Sequence, residues 1–199
     1  MKRFLERLRA SKPPLEKGTV IVFDTDMEEL ARKRTYFDDK GYRPVIVLIA
    51  KEEHRLACSY PDQEGKIGKI NPDRVEALSR TNPASGLLAK ADYVISDVTH
   101  VRDLMAMERP DFLLTYEHGS LLPGGPIQGG DIITAARRIK PSLPAVMECK
   151  SMNQSGAMPE KPAYMATTRG QPYLVAPVAT RYARQYFEDV ASGKTAVRG

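Results

Sequence analysis

Short apolar runs punctuate the chain at intervals, each bounded by charged or turn-forming residues. They are TVIVF (19–23), PVIVLI (44–49), DYVIS (92–96), DFLLTY (111–116), PAVMEC (144–149) and PYLVA (172–176). Most are continuous rather than alternating, the pattern of strands buried on both faces of a parallel sheet. Between them the apolar spacing becomes helical. Met27, Leu30, Ala31 and Phe37 share one face of 26–40, which Gly41 closes. Residues 101–108 form a short helix, and Ile132, Ala135, Ala136 and Ile139 line 130–140 before Pro141. Ala179, Tyr182, Ala183, Tyr186 and Val190 line 178–191. Strand alternating with helix implies right-handed crossovers and a layered α/β domain.

Two kinds of segment interrupt this rhythm. Residues 51–91 are polar and rich in turn residues, with only a weak helix at 72–80, and read as an insertion. Two loops, 117–130 (EHGSLLPGGPIQGG) and 150–170 (KSMNQSGAMPEKPAYMATTRG), follow strands, where a parallel sheet builds its sites. The N-terminal MKRFLERLRASKPP is a basic amphipathic arm stopped by Pro13 and Pro14.

Composition narrows the function classes. The 199 residues are 42% apolar and 28% charged, enough for a core without staples. The net charge of +5 is spread among acids, which disfavours a nucleic-acid surface. Cys58 and Cys149 stand far apart, and His54, His100 and His118 form no ligand spacing, so no structural zinc site is expected. No apolar run reaches a membrane span and the N-terminus lacks a signal-peptide core, so a cytoplasmic protein is expected.

The segment VIVFDTDMEEL (20–30) raises the main chemical question: Asp24 and Asp26 stand where a strand gives way to a helix. Together they offer a weak Mg²⁺ site; alternatively one acid caps the helix, worth about 0.5–2 kcal/mol. The series VIVFDTDMEELARKRTYFDDKGYRPVIV, RPDFLLTY, GGDIITAARRIKPSLPAVM and GQPYLVAPVATRYARQYFEDV resembles the receiver domain of two-component response regulators. The resemblance covers roughly residues 18–50 and 109–191. It implies a three-layer, flavodoxin-like α/β fold with a parallel sheet of five or six strands and an insertion at 51–108. The basic arm would occupy 1–17, the receiver-like domain 18–192 and a tail 193–199.

The resemblance also implies a set of roles: an acidic pair for Mg²⁺, an aspartate that takes the phosphoryl group, a Thr or Ser, and a lysine. Carried onto this chain, Asp24 fits the acidic pair, with Asp26 beside it. Tyr116 stands at the acceptor position, Cys149 at the Thr/Ser position and Ala176 at the lysine position. A phenol and a methyl group cannot perform those roles. A competing register makes Asp97 of ADYVISDVTH the acceptor, with Thr115 and Lys140 as its partners. Only 18 residues then separate Asp97 from Thr115, scant room for a helix. The preferred register leaves 92–108 as an extra strand and helix of the insertion.

Two rival sites compete with this reading. Asp111, Glu148 and Lys150 spell the Pro-Asp…Glu-x-Lys pattern that resembles PD-(D/E)xK nucleases, two carboxylates for Mg²⁺ and a lysine near the attacking water. The 117–130 loop, with Glu117, His118, Gly124, Gly125, Gly129 and Gly130, offers a small-molecule site at a helix N-terminus. The expectation is a phosphorylation-independent, receiver-like regulatory module without a cofactor, acting on another protein or a second copy of itself. Its partner surface would include Tyr182, Tyr186 and Phe187 of the last helix.

Overall fold

A computed structural model of the chain describes residues 17–50, 56–60, 67–116, 121–122, 125–149, 164–167, 172–174 and 189. The continuous apolar runs fold as anticipated into β1 (Thr19–Asp24), β2 (Arg43–Ile49), β4 (Tyr93–Ile95), β5 (Phe112–Tyr116) and β8 (Ala145–Cys149). The helices are α1 (Met27–Asp39), α2 (Pro72–Ser79), α3 (His100–Glu108) and α4 (Gly129–Arg137), with a 3-10 helix over Pro83–Lys90. Short strands complete the set: β3 (Gly68–Lys69), β6 (Leu121–Leu122), β7 (Gly125–Pro126), β9 (Tyr164–Thr167) and β10 (Pro172–Leu174).

The main sheet has the order β10-β9-β8-β5-β1-β2-β4-β3. Six neighbouring strands, β4-β2-β1-β5-β8-β9, run parallel, and β3 and β10 are antiparallel at the two edges. With β4 set aside, the parallel strands follow the flavodoxin-like order 2-1-3-4-5. β4, from the 92–96 run, extends the sheet beyond β2.

Each central strand sends alternate side chains to opposite layers. Val20 and Val22 of β1, Phe112 and Leu114 of β5, and Val146 of β8 pack in one core with Leu30 and Phe37 of α1, Val75 of α2 and Leu88. Ile21, Phe23, Leu113, Ala145 and Met147 pack in the other with Val101 and Leu104 of α3 and Ile132 and Ile133 of α4. Both faces are therefore covered by helices, the three-layer arrangement that continuous apolar strands require. Gly41 ends α1 at φ +79°, a left-handed conformation suited to glycine.

The final strands differ from expectation. The 172–176 run reads as a last parallel strand, but its described part, β10, runs antiparallel to β9. The strand beside β8 is β9, from the middle of what reads as a loop at 150–170. Its YMAT sequence is only four residues long and adjoins polar, Pro- and Gly-containing stretches, so no apolar run announces it. The N-terminal arm up to residue 16, most of the last helix and the tail lie outside the described residues. Asp189 is described: it is buried against α1, accepting a hydrogen bond from Tyr36 Oη at 2.6 Å and forming an ion pair with Lys40 Nζ at 3.0 Å.

Candidate functional site

The carboxyl ends of three adjacent strands meet in register. Phe23 pairs with Thr115, so Asp24 ends β1 beside Tyr116, and Tyr116 pairs with Glu148 of β8. The three follow Val22, Leu114 and Val146 at the next position of the same alternation, which faces α1. All three are buried.

Helix α1 brings a fourth group to this row. Lys33 lies on the same stripe as Leu30 and Phe37 and is 1% exposed. Its ammonium donates to Asp24 Oδ2 at 3.0 Å and to the carboxylate of Glu148. Burial on its own would lower the pKa of this lysine, but Glu148 and Asp24 outweigh it and hold the value above the ordinary range. Lys33 is therefore a buried cation bridging two strands that β5 separates.

The opening acids have divided their labour. Asp24 Oδ1 accepts from the backbone N–H groups of Thr25 at 2.6 Å and Asp26 at 3.1 Å, while Oδ2 receives Lys33. Asp26 is the N-cap of α1, accepting from Glu28 N–H at 2.9 Å and Glu29 N–H at 3.2 Å. Its extended backbone (φ −104°, ψ 118°) is that of a capping residue. The two carboxylates thus point to different partners. Among the described residues, no three His, Cys, Asp or Glu side chains gather to hold a metal ion.

The other candidates are dispersed. Asp97 follows β4, which lies beyond β2 from β1, and its carboxylate turns back onto Thr99 N–H and Oγ1, each at 2.7 Å. Those bonds hold Asp97 below the usual carboxylate range. Lys140, its partner in the competing register, donates to the carbonyl of Pro110 at the amino-terminal edge of the sheet. Asp97, Thr115 and Lys140 do not converge.

Nor do the nuclease candidates. Asp111 precedes β5 and accepts from Thr19 N–H at 2.9 Å, at the amino-terminal edge. Glu148 pairs with Tyr116, five residues further along, which puts about 16 Å of strand between the two acids. Lys150 lies outside the described residues. The separation arises because both strands run parallel, one acid preceding its strand and the other closing its own.

In the glycine-rich loop, Glu117, His118 and Gly124 lie outside the described residues, and Gly125 belongs to the β6–β7 hairpin. Gly129 and Gly130 are the first residues of α4 and are buried. A Cβ at Gly129 would stand 2.5 Å from the carbonyl oxygen of Tyr116 and 2.8 Å from Met147 Sδ. The glycine lets α4 approach the end of β5. Cys149 closes β8, and Ala176 lies outside the described residues.

Lys33 is the residue that sequence reasoning missed. Counting only apolar positions on α1 passed over the charged residue three after Leu30 and four before Phe37. That spacing places it on the buried stripe, and a buried lysine demands a carboxylate.

Comparison with family models finds no match to this chain, and comparison with curated proteins finds no related sequence. No described helix is long and apolar enough to cross a membrane.

Proposed function

We propose that this chain is a receiver-like regulatory module that works without phosphorylation, through binding to another protein or a second copy of itself. The observation that carries the reading is the state of Asp24. Both of its carboxylate oxygens are occupied, one by two backbone amides and the other by Lys33. A divalent cation would have to displace a buried ammonium that Glu148 also holds. Tyr116, at the position where the resemblance calls for the phosphoryl acceptor, brings a phenol that offers no carboxylate nucleophile. A cation does stand at this edge, as the receiver's chemistry requires, but it comes from α1 and its charge is already matched within the fold.

The test is a titration with Mg²⁺ and beryllofluoride, followed through the amide resonances of Asp24, Lys33, Tyr116 and Glu148. These resonances are expected to stay in place. A saturable shift confined to them would overturn the reading.

A further inference from the structure

Among the described residues, open space lies at the amino-terminal edge of the sheet, away from the row of Asp24, Tyr116 and Glu148. A cleft of about 510 Å³ lies beside the starts of β2 and β4, within the range of about 300–1,000 Å³ common for small-molecule sites. Arg34, Arg43 and Lys69 bring three cations to its lining, against the acids Asp92 and Glu108. Pro44, Ile70 and Pro72 add an apolar wall.

The acids are already engaged. Asp92 accepts from Arg34 Nη2 at 2.5 Å and from Ile46 N–H at 2.8 Å. Glu108 accepts from Arg43 Nη2 at 2.6 Å and from the Tyr93 hydroxyl. The cations are not exhausted. Arg34 also gives Nε to the carbonyl of Lys90, and Arg43 gives Nε to Thr19 Oγ1, so both guanidiniums are held in place. Among the described residues, neither Nη1 has an acceptor and the exposed Lys69 ammonium has no ion pair. Oriented, unspent donors beside an apolar wall, with one positive charge in excess, match an oxyanion carried on an apolar body.

We propose that this cleft binds a small organic phosphate, with Lys69, Arg34 and Arg43 facing the phosphate and the proline-lined wall facing the organic part. The site is separate from the row of Asp24, Tyr116 and Glu148 and does not depend on how that row functions.

AMP and inorganic phosphate serve as probes, titrated into the full chain and followed by amide resonances. AMP is expected to shift Lys69, Asp92 and Tyr93 saturably in the micromolar-to-millimolar range, and more tightly than inorganic phosphate. Lys69→Glu reverses an exposed charge on β3, whose pairing uses backbone groups, and should weaken AMP by about tenfold or more. Arg102→Glu, on the exposed side of α3, changes net charge equally and should leave the affinity within about twofold. The proposal is overturned by the absence of saturable shifts at millimolar AMP, by shifts that map away from the cleft, or by equal losses in the two variants. Equal affinity for inorganic phosphate would remove the organic part of the ligand.

Discussion

The two edges of the central sheet use the same residue types to opposite ends. At the carboxyl edge, Lys33, Asp24 and Glu148 are sealed under α1, each no more than 3% exposed at its side chain. At the amino edge, Arg34–Asp92 and Arg43–Glu108 pair beside an open cleft, with Arg43 49% exposed. A charge in the interior must find its counter-charge within the protein, whereas a charge at the rim is also served by water. The first arrangement fixes the fold. The second leaves donors over for something else.

The sharpest way to break this contrast is at Lys33. Lys33→Met removes the ammonium that both buried carboxylates hold, and a loss of about 3–5 kcal/mol is expected in urea unfolding. Adding Asp24→Asn and Glu148→Gln should recover much of it, because neutral amides in place of the acids no longer call for that ammonium. A loss of less than about 1 kcal/mol from Lys33→Met would mean that water reaches the triad and that the edges do not differ in kind. The raised pKa of Lys33 gives this contribution a pH sign. The folded state holds the proton more tightly than the unfolded chain. The stabilisation is therefore complete below the unfolded value of 10.5 and is lost as pH climbs toward the folded one.

Gly129→Ala tests how tightly the carboxyl edge is closed from the other face. The new methyl would meet the Tyr116 carbonyl, fixed in β5, and Met147, and overpacking of this kind costs about 1–3 kcal/mol. The methionine can turn aside but the carbonyl cannot without moving its strand. A neutral result in thermal unfolding would mean that α4 stands farther from β5. Asp26→Ala removes the cap of α1 and is expected to cost about 1 kcal/mol. Asp24→Ala should cost more, although the two acids are one residue apart, because Asp24 also answers the buried Lys33.

That difference was half legible in the sequence. The capping role could be read from an acid before a helical stripe, and the strands from their unbroken apolar runs, because burial on both faces leaves no polar position to blur them. The pairing of Asp24 with Lys33 and Glu148 could not be read so directly. It joins residues up to 115 positions apart, and only the register of β1, β5 and β8 brings them together. An apolar run also carries no direction, so PYL at β10 looks the same whether it continues a parallel sheet or folds back against β9. The distance between Asp111 and Glu148 depends on the same hidden variable.

At the amino edge the expected effects are smallest. Arg43→Ala removes a half-exposed partner of Glu108, and surface pairs of this kind contribute about 0–1 kcal/mol. A finer probe is Tyr93, whose hydroxyl donates to the same carboxylate. Partial burial, the hydrogen bond to Glu108 and the charges of Glu108 and Asp92 push its phenol up to about 12, while Arg43 pulls it down. Phenolate absorbance should therefore show a tyrosine lost in Tyr93→Phe that ionises well above the ordinary value of 10.0, and Arg43→Ala should move it higher still. The neutral phenol is the form the fold prefers, so its small stabilisation is whole below 10.0 and disappears as pH rises through about 12. Were Tyr93 to ionise at the ordinary value, Glu108 would be turned toward solvent and Arg43 would lose the anchor that orients it beside the cleft. An upward shift of Tyr93 with little change in stability on losing Arg43 is the pattern that separates a rim held for binding from an interior held for folding.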